Sequence, residues 1–363
     1  MKNQPIVIGG VEVKPGERKT IDIPLAAMPT HSDVEMKVVV INGRRPGPCL
    51  FICAAIHGDE INGVEIIRRI LKRKQIDKIN GTLIAIPIVN VHGFITHQRY
   101  LPDGRDLNRC FPGSSKGPLA SRMAHTFFTE IVHKCTHGID LHTGARHRTN
   151  LPQIRADLSS DTVKSLAVTF GVPAIIDSKI RDGSLREAGG DVGIPILLYE
   201  AGEALRFDEI CIRAGVRGIV RIMRALDMLP KKQEKPDTKA ATKPSTKKEA
   251  IITSQTAWVR APYSGVLRTL VPLGGYAPKG SVLGVINDPL GETEYTVIAP
   301  KDGIVIGRTN LPLTYEGDAL FHLAYYRQAT EGVYDQVEAF QERMDPDSEI
   351  GMPLDDPTEG PIL

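Results

Sequence analysis

The sequence predicts an α/β protein, a sheet with helices on both faces, followed by a small all-β unit. Three observations predict it. Between residues 36 and 230, short apolar runs that read as buried strands alternate with segments whose apolar residues recur at helical spacing. Residues 231–250, KKQEKPDTKAATKPSTKKEA, break that pattern with many lysines, two prolines and alanine as the only apolar residue type. Beyond them an internal repeat begins: VRAPYSGV (Val259–Val266) is echoed by VIAPKDGI (Val297–Ile304), and GSVL by GDAL. A chain of 363 residues is long for one ordinary core, so more than one unit is expected.

Residues 1–34 hold the alternating runs Val11–Val13 and Ile21–Ile23 around Pro15-Gly16, which read as an N-terminal β-hairpin extension. The main domain is expected over 35–230. It opens with a strand at Met36–Ile41, a Gly- and Pro-rich turn at Asn42–Pro48, and the apolar run Leu50–Ile56, a buried parallel strand. A helix follows (Val64, Ile66, Ile67, Ile70, Leu71), then a strand over Gly81–Val89. Asn90 to about Pro118 lacks periodicity, and loops that long are functional or disordered. His92 and His97 lie in it without a strand-end context and read as positioning or surface residues. A helix carrying Met123, Phe127 and Phe128 comes next, flanked by His125, His133 and His137, which read as structural. Strands are expected at Gly138–Gly144, Ala174–Ile176 and Ile194–Tyr199, and helices at Val163–Phe170 and Ile210–Met228. Ser184–Arg186 reads as an exposed helix start. Residues 231–250 read as a mobile linker, because so little apolar surface cannot offset ordering entropy. The remaining chain divides into a β-rich domain at 251–330 and a C-terminal helix with an acidic tail at 331–363.

Chemistry concentrates at the strand ends. The stretch CAAIHGDEING delivers His57 at the carboxyl end of the Leu50–Ile56 strand, with Glu60 three residues on. In open α/β sheets ligands bind outside the carboxyl ends of the strands, and an imidazole and a carboxylate there can share one divalent ion. HxxE alone is a short pattern, equally at home in a solvated loop. A third group raises its weight: GIDLHTG is another strand end with His142 at its tip. His57, Glu60 and His142 would supply the three protein ligands of a catalytic zinc that keeps one position open. Strand alternation points Asp140 the same way as His142, where it can orient the ligand imidazole. A third strand end presents Glu200 at the same edge of the sheet.

The motifs HGDE, DLNRCFPG, DLHTG and YEAGE stand in the order in which the succinylglutamate desuccinylase/aspartoacylase family carries them, and the sequence resembles that family over about residues 35–230. The resemblance implies a zinc-carboxypeptidase-like mixed sheet and one zinc per chain on His57, Glu60 and His142. It implies Glu200 as general acid/base and Asn108 and Arg109 as a clamp for a substrate carboxylate. It also implies an oxyanion-stabilising arginine, which Arg99 in an Arg-Tyr pair matches and for which Arg105 is a rival. The repeated APxxG halves resemble a biotinyl/lipoyl-like barrel-sandwich domain. The hairpin between the halves, NDPLGETEY, has no lysine to modify, so the expectation is a lid, an oligomerisation element or both rather than a carrier.

The expected reaction is zinc-dependent hydrolysis of the amide in a small N-acylated amino acid or related amine. Alternatives are a metallocarboxypeptidase acting on peptides or peptidoglycan fragments, and, in another class, a non-catalytic metal-binding scaffold. A formal charge of +2 argues for no nucleic-acid partner, and no apolar stretch approaches a membrane span. The N-terminus has no apolar signal region, and five scattered cysteines fit reduced thiols in a cytoplasmic protein. A small-molecule substrate and a homo-oligomer complete the expected partners.

Overall fold

The computed structural model describes residues 2–26, 28–231, 250–325 and 331–346; the body of the expected linker and most of the acidic tail lie outside them. Four parallel strands form the centre of the main sheet, side by side: Asn80–Ile86, Arg45–Ala54, His137–Gly144 and Ile196–Glu203. Antiparallel strands Glu35–Asn42 and Arg18–Pro24 extend it on one side. On the other, Arg148–Ala156 runs antiparallel to the Glu200 strand, and Ala174–Asp177 runs parallel to Arg148–Ala156. The protein is therefore mixed α/β, with a second, antiparallel sheet near its C-terminus.

The N-terminal pairing differs from the hairpin read in the sequence. Val11–Val13 pairs with Ile6–Ile8 across Gly9-Gly10, both at positive φ, whereas Ile21–Ile23 pairs with Met36–Val38. Alternation marks each run as a strand but does not choose its partner. Gly-Gly, which readily adopts the left-handed conformation, makes the tighter turn.

Period-two alternation divides the strands between two cores. Leu50, Ile52, Ile139, Leu141, Leu197, Tyr199 and Ile154 point to one face, covered by helices Asn62–Lys72, Asp161–Phe170 and Glu209–Ala225. Phe51, Cys53, Ile84 and Ile86 point to the other, covered by helices Leu119–Glu130 and Leu185–Asp191. Asp140, His142, Glu200, Gln153 and Arg155 occupy the alternate positions, so their side chains belong to this second face. Ser184, Ser160 and Asp208 each cap a helix with a side-chain oxygen, which fixes where those helices begin.

The C-terminal repeat folds as two matching sets of strands. Gln255–Arg260, Gly265–Thr269, Tyr276–Ala277 and Val282–Asn287 correspond to Glu294–Ile298, Gly303–Thr309, Leu313–Thr314 and Ala319–Tyr325. Every pairing in one set has its counterpart in the other: the first strand of each half pairs with the last strand of the opposite half. Within each half the second strand pairs with the last, and across halves it pairs with the two-residue strand. One pairing breaks the symmetry. Gly307–Thr309 also hydrogen-bonds to Arg148–Asn150, which makes the module part of the main sheet. Ile251–Thr253 adds a second seam, parallel to Ala174–Ile176. No helix among the described residues is long and apolar enough to cross a membrane.

Candidate active site

The Arg45–Ala54 strand ends where Ala55 takes a positive φ of 52°, and the chain turns into the His57–Glu60 loop. That loop lies against another backbone: a Cβ on Gly58 would come within 2.0 Å of the carbonyl carbon of Gly93. Only glycine permits the approach. On its far side Asn62 donates to the Ala201 carbonyl (3.1 Å) and accepts from the Asp208 amide (3.0 Å), tying the loop to the Glu200 strand.

His57, Glu60 and His142 meet in the interior, all buried, with one potential ligand atom from each lying within 4.8 Å of the others. Nδ1 of His57 is 2.8 Å from Glu60 Oε1, Nδ1 of His142 is 2.7 Å from Glu60 Oε2, and the two Nδ1 atoms are 3.1 Å apart. Each ring is held from behind through Nε2. Asp140 holds His142 (2.8 Å) and Asp106 holds His57 (3.0 Å). Burial opposes charging either imidazole, but Glu60 with Asp106 raises the pKa of His57, and Asp140 with Glu60 raises that of His142 well above its ordinary value. Burial likewise pushes Glu60 up, yet the two imidazoles hold it well below the usual carboxylate range.

These residues fit a divalent ion on two grounds. Two imidazole nitrogens and a carboxylate are a donor set for zinc, and donors sharing one tetrahedral ion at ~2.1 Å lie roughly 3.4 Å apart, so the cluster would open by a few tenths of an ångström around an ion. Charge agrees: with the imidazoles neutral, the buried or half-buried carboxylates of Glu60 and Asp106 share one guanidinium, Arg99, leaving a surplus of negative charge. Arg99 lies beside the cluster, donating to Glu60 Oε1 (2.9 Å) and Asp106 Oδ2 (3.2 Å). Arg105 does not; its side chain is 55% exposed and 3.7 Å from Asp103.

Glu200 lies one strand over, in register with His142 and on the same face. Its Oε2 accepts from Asn150 Nδ2 (2.9 Å) and is 3.2 Å from Arg155 Nε. Asn108 anchors the neighbouring helix by accepting from the Leu185 amide (2.9 Å). Arg109 is exposed and donates to the carbonyl of Asn108.

Residues 46–226 match the succinylglutamate desuccinylase/aspartoacylase catalytic domain. The chain is a member of that family. Succinylglutamate desuccinylase/aspartoacylase of Rhodobacter sphaeroides has the same fold, with a TM-score of 0.72 at 22% identity over 85% of this chain and 96% of that one. The product-bound ectoine utilization protein EutE (DoeB) of Ruegeria pomeroyi superposes at a TM-score of 0.75, with 18% identity over 90% of this chain and 100% of that one. By sequence, the chain is 24% identical over 305 residues to the N-alpha-acetyl-L-2,4-diaminobutyric acid deacetylase of Halomonas elongata, 79% of this chain and 84% of that protein.

Four residues around the site escaped the sequence reading. Asp106 stands inside the DLNR motif, in a loop without periodicity, and no pattern announces its contact with His57. Asn150, Gln153 and Arg155 sit in RTNLPQIRA, the strand Arg148–Ala156, to which the sequence reading assigned no element. Gln153 is fully buried. Arg186, read as part of an exposed helix start, is half-buried, and its Nη1 donates to Ser178 Oγ (3.1 Å).

Proposed function

We propose that this protein is a zinc-dependent deacylase that hydrolyses the amide of a small N-acylated amino acid or related amine. The observation that carries the reading is the convergence of His57, Glu60 and His142 beside Glu200, in a chain of this family whose relative from Halomonas elongata is a deacetylase. His57, Glu60 and His142 would hold the ion, one per chain. Zinc in such a site supplies Lewis acidity, enough to make water reactive near pH ~7.

The remaining work falls to the protein's own groups. Glu200 accepts a proton from the attacking water and delivers it to the leaving amine. Asn150 fixes the position of its carboxylate by donating to Oε2, and Arg155 adds positive charge beside it. Arg99, aligned by Glu60 and Asp106, directs its guanidinium at the oxygen where negative charge develops. Asn108 and Arg109 orient the substrate at the rim, a guanidinium being suited to bidentate pairing with a carboxylate.

The test is a deacylation screen with acyl-amino acids on metal-loaded protein, beside Glu200→Gln and His142→Ala. Glu200→Gln should keep its metal and lose ~10²–10⁴-fold in kcat, the usual contribution of a general base. His142→Ala should lose the metal by elemental analysis. Near-normal turnover by zinc-loaded Glu200→Gln would remove that residue from the mechanism.

A further inference from the structure

Buried polar atoms without hydrogen-bond partners collect beside Glu200. Gln153 is 0% exposed, and neither its Nε2 nor its Oε1 has a partner. It is the cross-strand neighbour of Glu200 in the antiparallel pair, so their side chains lie on one face, with His142 next in the same row. Two residues on, Arg155 points to the same face; its buried Nε lies near Glu200 Oε2 but off line, and makes no hydrogen bond. From the C-terminal module, His322 adds a third buried, unpartnered nitrogen, Nδ1, within reach of Arg155's charge. Arg186 brings a second guanidinium into the field of Glu200, Arg155 and Asp140.

Native interiors rarely leave such groups unmet, and each one costs free energy when no ligand satisfies it. The local groups say what would satisfy these. Arg155 and Arg186 share the field of two carboxylates, Glu200 and Asp140, so the charges balance and the unmet hydrogen-bonding atoms decide. Two donor nitrogens, Gln153 Nε2 and Arg155 Nε, stand unmet against one acceptor, Gln153 Oε1. We propose that Gln153 and Arg155 form a second substrate-recognition subsite, which binds a carboxylate of the substrate in the row beyond Glu200, separate from the rim residues Asn108 and Arg109. The Gln153 amide and the Arg155 guanidinium donate to it, and Arg186 adds positive charge to the surroundings. This deepens the hydrolase reading and rests on it for the word substrate, but the binding itself does not need turnover.

A carboxylate can belong to the amine side or to the acyl side, and two probe pairs separate these. The first is N-acetyl-L-alanine against N-acetyl-L-alaninamide. The second is N-succinyl-methylamine against N-butyryl-methylamine. Binding is measured by titration calorimetry on the full chain with chelator present, so that hydrolysis is off. The native protein should prefer the charged member of one pair, which identifies the source. Gln153→Leu should weaken that member by about 10- to 100-fold, the value of a hydrogen bond to a charged group, and leave its neutral partner little changed. Gln153→Glu, similar in shape but carrying a like charge, should abolish the preference.

Thermal melting supplies the readout that a structural role would move the other way. Gln153→Leu should melt at or above the native temperature, because it removes an unpartnered buried amide. A large fall in melting temperature, equal binding of both members by the native protein, or unchanged affinities in Gln153→Leu would each overturn the subsite. Charge-selective binding that depends on Gln153, in a protein that hydrolyses nothing, would sink the hydrolase reading and leave the subsite standing. Turnover without charge selectivity would do the reverse.

Discussion

Glu60 is the residue through which the site is joined. Its two oxygens contact both histidines, Arg99 and the Thr143 amide, so its carboxylate cannot move without disturbing the two strand ends and the arginine loop together. The histidines depend in turn on the carboxylates behind them. Asp140→Asn keeps the shape of the contact to His142 Nε2 but no longer fixes the ring by charge, and should weaken zinc binding ~10–100-fold without unfolding the protein. Competition against a chelating dye measures this, and an unchanged affinity would mean that packing alone orients the ring. Arg99 and Arg105 differ at the same scale. Arg99→Ala should cost ~10²–10³-fold in kcat, as loss of an oxyanion donor does. Arg105→Ala, on an exposed side chain, should change turnover little; the opposite ranking would move the oxyanion role to Arg105.

Among the elements, the strands carry the side chains and the loops bring in their partners. The close approach of Gly58 to Gly93 holds the His57–Glu60 loop against a short helix, Val91–Ile95, that interrupts the segment read as a loop and leads to Arg99. Gly58→Ala would force them apart by the width of a methyl group where none fits. It should lower zinc affinity and kcat together, while far-ultraviolet circular dichroism stays native. If only kcat falls, the loop contact serves Arg99 and not the ligands. This division also explains what the sequence made legible. Alternation in GIDLHTG puts Asp140 and His142 on one face, and a strand end delivers His57, so the three candidate ligands could be brought together before any coordinates. Asp106 and the choice between Arg99 and Arg105 could not, because a loop without periodicity is shaped by backbone hydrogen bonds such as Leu101 to Arg105 and by the turn at Gly104. Burial of Gln153 was hidden for another reason. Its strand is flanked on both sides, by Glu200 and by Ala174, and no local pattern reports either pairing.

At the scale of the whole molecule, the C-terminal module is built into the sheet that carries Glu200. Gly307 pairs with Asn150, and a Cβ there would sit 2.9 Å from the Asn150 amide oxygen and 3.4 Å from His322, so the module backbone presses on a residue that holds Glu200. Asn310 reaches across to Glu203 (2.8 Å), and Arg148 lies over Trp258, which stacks on His322 with ring centroids 4.8 Å apart. The imidazole pays for this place in acid. Burial first, and then the charge of Arg155, depress the pKa of His322 from 6.5 to about 3. Between those values the unfolded chain binds a proton that the folded one refuses. The contribution is therefore fully present above pH 6.5 and is lost as pH falls towards 3, on the order of a few kcal/mol across the window. Trp258 is the single tryptophan of the chain, so its fluorescence reports on this seam. Urea unfolding followed at Trp258 should show stability declining from pH 7 to 4.5. His322→Phe, which keeps a ring against the indole but cannot titrate, should flatten that decline. If the variant and the native protein lose stability in parallel, His322 is protonated in the folded state, and the seam between module and catalytic sheet is open to water.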